Sequence, residues 1–182
     1  MPTRMSTTWG PAGATVAFLI IALAGGTTAA AAPEGPSGPS GLPLPRFVSL
    51  KAERVNVRSG PNKDNEVNWV YTRTGLPVEI IAEYDNWRRI RDWEGAEGWV
   101  LHSLLSGRRT ALVIAKTKGG DDLIPVHDSP DAQSTVTVKL QAGVLGTVKR
   151  CNDNWCRIVG DGFDGWIEQG RLWGVYPNEK VD

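Results

Sequence analysis

Asn86-Trp87-Arg88-Arg89-Ile90-Arg91-Asp92-Trp93-Glu94-Gly95-Ala96-Glu97-Gly98-Trp99-Val100 is echoed by the stretch NWCRIVGDGFDGWI at residues 154–167. Asn86-Trp87 returns as Asn154-Trp155 after 68 residues, and Gly98-Trp99-Val100 returns as Gly165-Trp166-Ile167 after 67. Upstream, Val57-Arg58-Ser59-Gly60-Pro61 is answered by Val126-His127-Asp128-Ser129-Pro130 at an offset of 69, and Leu105 by Leu172 at 67. Slips of one residue between anchors are loop insertions within one repeated unit. The unit is close to the smallest size at which a domain folds alone, so the repeats are placed at residues 46–109 and 110–182.

Inside each repeat the pattern is that of strands. Val78, Ile80 and Ala82 alternate with Glu79 and Glu83, and a turn at Asp85-Asn86 leads into residues 87–91, the mark of a hairpin. Gly-rich turns at 94–98 and 160–165 then deliver the chain into a Gly-Trp-aliphatic strand, so a second hairpin follows the first. Twenty-one Gly, 12 Pro and eight Trp in 182 residues fit short strands joined by turns, and the expected class is all-β. Lys plus Arg and Asp plus Glu both total 20. That balance lacks the positive field on which sequence-independent nucleic-acid binding relies, so nucleic acid is not expected as a partner.

The N-terminus carries Arg4, an apolar run at 16–24 and small residues up to Ala32, the three-part layout of a secretory signal. Residues 1–31 are expected to be a signal peptide cut after Ala31. The run is shorter than the roughly 20 residues of a membrane span; a membrane association is expected only if the segment stays uncleaved. Residues 32–45, with PEGPSGPSGLPLP from 33, cannot bury a core, favour extended or irregular conformers and read as a Pro/Gly/Ser linker; the alternative is that the aromatic groove of a neighbouring domain takes the stretch as an internal ligand.

The residues Asn56-Val57-Arg58-Ser59-Gly60-Pro61, Gly75-Leu76-Pro77-Val78, Trp87 to Asp92, Gly98-Trp99-Val100, Asn154-Trp155-Cys156-Arg157 and Leu172-Trp173-Gly174-Val175-Tyr176-Pro177 resemble bacterial Src-homology-3-like (SH3-like) domains, in the tandem form of exported proteins of Gram-negative bacteria. The resemblance implies two small five-stranded β-barrels, each with a short helical turn after its Gly-Trp-aliphatic strand. It also implies a periplasmic or extracellular location, association with cell-wall or protein ligands, and no catalytic residues to carry over.

The remaining chemistry is sparse. His102 and His127 do not stand near Cys151 and Cys156 in metal-site spacing, and no metal or other cofactor is expected. Two cysteines across a turn in an exported chain suggest a disulfide, which the short loop would make worth about 2 kcal/mol. Strict alternation opposes it: with Val148 and Ile158 inward, Cys151 faces out and Cys156 in, so the bond requires an irregular turn or a bulge before it. A Cys-His hydrolase built from one of these thiols and His127 is the alternative.

On a regular strand Trp87 lies opposite Ile90, beside Arg89 and Arg91, and Trp155 lies with Arg157 opposite Ile158. Trp99 and Trp166 flank the core candidates Val100 and Ile167. Trp87, Arg89, Arg91, Trp99, Trp155, Arg157 and Trp166 are therefore the candidate ligand-binding residues, indole platforms beside guanidinium forks. The opposing reading folds each Trp over the barrel rim as core cover. Repeat one carries 11 Lys and Arg against nine acids, and repeat two eight against ten, a small difference that either helps one barrel dock on the other or biases repeat one toward anionic ligands. The expected function is a non-catalytic binding protein for peptidoglycan stem peptide or an envelope protein. A scaffold or dimer that uses the tryptophans as interface, and a cell-wall enzyme, are the alternatives; the oligomeric state is left open.

Overall fold

The computed structural model describes residues 36–117, 120 and 122–182, and the signal peptide expected over 1–31 lies outside them. The first repeat forms β1 (Arg46–Leu50), β2 (Val55–Arg58), β3 (Val67–Tyr71), β4 (Pro77–Tyr84), β5 (Trp87–Arg91), β6 (Glu97–Leu101) and β7 (Leu105–Ser106). The second forms β8 (Thr110–Val113), β9 (Ile124–His127), β10 (Val136–Leu140), β11 (Leu145–Asn152), β12 (Trp155–Gly160), β13 (Phe163–Glu168) and β14 (Leu172–Trp173). Strand order is β3-β2-β6-β5-β4-β1-β7 in one sheet and β10-β9-β13-β12-β11-β8-β14 in the other, the same order advanced by seven. The fold is all-β and tandem. Each sheet has seven strands against the five the resemblance implies, because the chain after β2 or β9 closes its own hairpin and a two-residue strand, β7 or β14, pairs back onto the first strand of its repeat. The short helical turns are 3-10 turns at His102–Leu104 and Gln169–Arg171.

Both long hairpins carry a bulge at the same place. The β4–β5 register slips between Ile80 and Ala82, and the β11–β12 register between Val148 and Arg150. One extra residue on one strand reverses the facing of everything beyond it. Cys151 and Cys156 thereby become a directly opposed, buried pair and are joined by a disulfide, so the bulge resolves the conflict set by strict alternation. The same slip opposes Glu83 to Arg88 in the first barrel, where an ion pair of 3.1 Å stands in the place of the disulfide.

The end of each hairpin also receives a terminal segment. Cys151 exchanges backbone hydrogen bonds with Val181 near the C-terminus. Glu83 accepts from the Ser40 N–H at 2.9 Å and its hydroxyl at 2.8 Å, and from Arg46 at 2.6 Å. Residues 36–45 are therefore irregular in conformation and docked on the first barrel. They close on themselves through Gly38 N–H to the Leu42 carbonyl and Leu44 N–H to the Pro36 carbonyl, and Leu44 packs against the first core. A buried carboxylate with several donors overrides the local preference of a Pro/Gly-rich segment.

The Glu83 side chain is 1% exposed. Burial alone would raise its carboxyl, but the Ser40 N–H, the Arg46 guanidinium and the Ser40 hydroxyl hold it down, from an ordinary 4.5 to about 2. A group depressed on folding contributes stability that is complete above its unfolded value and lost as pH falls through the folded one. The strap over 36–45 is thus expected to stay docked at pH 5 and to detach between pH 4.5 and about 2. Amide exchange at Ser40, corrected for intrinsic rate, should quicken by about tenfold or more over that interval; in Glu83→Gln it should be fast already at pH 6.

Two cores form, and they meet. Leu50, Val55, Val57, Val78, Ile80, Ile90 and Val100 fill the first barrel, while Ile124, Val126, Ile158 and Ile167 fill the second. β8 is buried at all four positions: Ala111 and Val113 enter the second core, whereas Leu112 enters the first. The Thr110 hydroxyl donates to the Gly75 carbonyl at 2.7 Å, and the Trp173 indole N–H to the Pro77 carbonyl at 3.1 Å. Phe47 of β1 packs on Trp173 and Tyr176 with ring centroids 5.0 and 4.6 Å apart. The barrels do dock on each other, through these aromatic and aliphatic contacts and not through the tryptophans singled out from the repeat.

Candidate binding groove

The residues proposed from the repeat separate into three places. Arg89 lies opposite Trp99, and Arg157 opposite Trp166, as matching cross-strand pairs in the two barrels. Their guanidiniums are not free forks for a ligand carboxylate. Arg89 is ion-paired to Glu97 at 2.8 Å and Arg91 to Glu79 at 2.8 Å. Arg157 holds Asp164 through two hydrogen bonds of 2.8 Å, a contact that raises the arginine and lowers the carboxyl. Cross-strand neighbours at one to two positions bring opposite charges within reach, a pairing that the face count alone does not reveal.

Trp87 is not an exposed platform either. It is 8% exposed, next to the left-handed turn at Asp85 (φ 47°). It forms the wall shared by two small hollows, which it lines together with Leu101 and Lys63. Trp155 is half-buried, its ring edge-on to His127 at 5.2 Å. Both cysteines are held in the disulfide, so neither offers a thiolate beside His127.

Trp155 and Arg91 both line a groove of about 1140 Å³ between the barrels. Its lining includes Phe47, Trp173 and Tyr176, which pack on one another, together with Trp93 of the first repeat, 36% exposed, and Trp155 of the second. Glu79, with Arg91 on it, also accepts the Tyr176 hydroxyl at 2.9 Å. Burial, and then the Glu79 charge, push the Tyr176 hydroxyl above the usual tyrosine range, so it stays a donor. Asp92 is likewise committed, to the Tyr71 hydroxyl at 2.7 Å and the Glu94 and Ala96 N–H groups. Burial and the Asp92 bond raise the Tyr71 hydroxyl in the same way. The exposed carboxylates left on the rim are Glu94, Asp131 and Glu168. The groove therefore offers indole faces and hydrogen-bond acceptors, and its internal guanidinium is spoken for.

Trp93, Phe47, Trp173 and Tyr176 were not among the residues drawn from the repeat. Trp93 has no echo, since Asp161 stands 68 residues later, and a search for repeated residues passes over a groove made where the two copies differ. The signal for Trp173 and Tyr176 was the aromatic run at 173–176, beyond the last anchor of the second repeat.

Two copies of one small barrel pack on each other beside a groove lined by aromatic side chains, and the fold is a tandem of one domain type. The family described as "Bacterial SH3 domain" matches residues 51–107 and 120–174, more than half of the chain, and the chain belongs to that family. A comparison with curated proteins found no match. Among solved structures the chain is similar to NlpC2 from Trichomonas vaginalis, at 16% identity and a TM-score of 0.33 over 71% of this chain and 48% of that one. NlpC1 from the same organism also has 16% identity and a TM-score of 0.33, over 75% and 48%. The chain thus spans about half the length of these structures.

Proposed function

We propose that the protein is a non-catalytic exported binding module that takes a peptide-like ligand, peptidoglycan stem peptide or an envelope-protein segment, in the groove between its barrels. The observation that carries this reading is that Trp93 of the first repeat and Trp155 of the second line one groove with the packed aromatics Phe47, Trp173 and Tyr176. Aromatic faces take up apolar parts of a peptide, and Glu94, Asp131 and Glu168 accept from its amide and amine N–H groups. Export is supported by the leader pattern of residues 1–31 and by the disulfide, which persists in oxidising compartments.

Retention on purified cell-wall sacculi tests the reading. The parent chain should be retained and Trp93→Ala/Trp155→Ala should bind about tenfold or more weakly, with its disulfide and thermal midpoint little changed. Equal retention would sink the groove as the site. In sedimentation the parent should remain a monomer; a stable dimer with Trp93 and Trp155 shielded from quencher would favour the scaffold reading. Turnover of labelled muropeptides by the purified chain would favour an enzyme.

A further inference from the structure

We infer that the first barrel carries a second site, absent from the second barrel, in which Arg54, Arg58 and Lys63 take the carboxylate of a peptide-like ligand beside Trp87. The three cations line one open hollow of about 210 Å³ together with Asn56, Trp87, Leu101 and Leu104. That space holds a carboxylate and a few attached carbons. Across Trp87 and Leu101 it borders a second hollow of about 630 Å³, which includes Asp64 and Asp85. An extended ligand would place its carboxylate among the cations and run over the Trp87 edge, with any amine directed to the two aspartates.

The cations are available. Among the described residues Arg46, Arg88, Arg89, Arg91, Arg109, Arg157 and Arg171 are all ion-paired within the chain, whereas Arg54, Arg58 and Lys63 are not. Arg58 spends one N–H on the Asn65 carbonyl at 2.6 Å, which orients its guanidinium and leaves the other donors for a ligand.

The second barrel serves as an internal control. The paired positions Val55–Tyr71 and Ile124–Leu140 align the repeats at an offset of 69 on this edge. Arg54 then corresponds to Leu123, and Arg58 to His127. The equivalent hollow persists beside Trp155, lined by Ile124, Pro125, His127, Glu168 and Arg171, but Glu168 stands 67 residues after Leu101, and Arg171 is held by Asp122 at 3.3 Å. The fold thus makes the hollow without needing three cations there. Their presence in one copy is a matter of recognition: converging guanidinium and ammonium donors select an anion, and the apolar wall selects one attached to a carbon chain.

This inference rests on the reading of the chain as a binder of peptide-like ligands and adds a second point of contact, which would raise avidity for a polymeric target. It is tested with the full chain, following indole and amide resonances during titration with Ala-Ala, with its C-terminal amide and with inorganic phosphate. The Trp87 indole and the Arg58 amide should shift saturably with Ala-Ala and not with the amide. Arg54→Gln/Lys63→Gln, both exposed side chains, should bind Ala-Ala about tenfold or more weakly, with the Trp155 indole resonance unmoved. Equal binding of the acid and the amide, or an unchanged affinity in the double variant, would overturn the inference. Phosphate binding as tight as Ala-Ala would overturn its peptide part, since the site would then read charge alone. Sacculus retention with no Ala-Ala response defeats this site only; an Ala-Ala response without retention defeats the groove reading and leaves this site standing.

Discussion

Leu112→Ala is expected to destabilise both barrels at once, by about 2–5 kcal/mol, the range for deleting a buried leucine side chain. Leu112 belongs by sequence to the second repeat and is 3% exposed, yet its side chain packs in the first core with Leu50, Leu76 and Val78. Its neighbours Ala111 and Val113 enter the second core. A strand buried on both faces transmits the loss in one core to the other. Amide protection in β4–β5 and in β11–β12 should therefore fall at the same denaturant concentration in the parent and at one lower concentration in the variant. Separate transitions, with the second barrel unaffected by the substitution, would show that the two cores are energetically independent.

Gly165→Ala should also cost several kcal/mol, and Gly98→Ala somewhat less. β9 and β13 meet at the single pair Trp166–His127, and β2 and β6 at Trp99–Arg58. At these crossings the glycine before the tryptophan lies under the neighbouring strand. A Cβ on Gly165 would stand 2.6 Å from the His127 carbonyl oxygen, a backbone atom, and 2.5 Å from the Val126 side chain. On Gly98 the backbone contact is looser, 3.1 Å from the Arg58 carbonyl oxygen, although Val57 must still move. Overpacking of a closed core costs about 1–3 kcal/mol, and more where backbone must shift. Gly107→Ala is the comparison, since a Cβ there meets nothing within 4 Å and should leave the thermal midpoint within about a degree or two. If Gly165→Ala and Gly107→Ala unfold together, the close approach at the Gly-Trp motif is not what the glycine is for.

The Gly-Trp-aliphatic motif was legible in the sequence as a strand signal, and its repetition gave the number of barrels. The reason for its glycine was not legible, because the strand that covers it lies some 40 residues earlier in each repeat. The disulfide shows the same division. Cys151 and Cys156 were recognisable as a pair across a turn, and the parity of the hairpin demanded an irregularity. Only the register located it at Val148–Arg150 and revealed its counterpart in the Glu83–Arg88 ion pair.

The candidate site was less legible than the fold. Counting faces along β5 and β12 picked out indoles and guanidiniums, but a face count is blind to what the adjacent strand and loop bring. Glu97, Glu79 and Asp164 occupy the guanidiniums, and the surroundings of the hairpin turn cover Trp87. The docking of the Pro/Gly-rich stretch at 36–45 was not legible for a related reason: composition describes a segment in isolation, while Glu83 supplies a buried anion from another strand.

By itself the sequence determined the all-β class and the two copies, because strand alternation and turn residues act locally and repetition records them twice. The groove between Trp93 and Trp155, the sharing of Leu112 and the docking of the strap were decided by tertiary structure. Each of these depends on contacts between residues distant along the chain, made where the two copies differ or where a terminal segment returns, and no local pattern encodes the packing that brings them together.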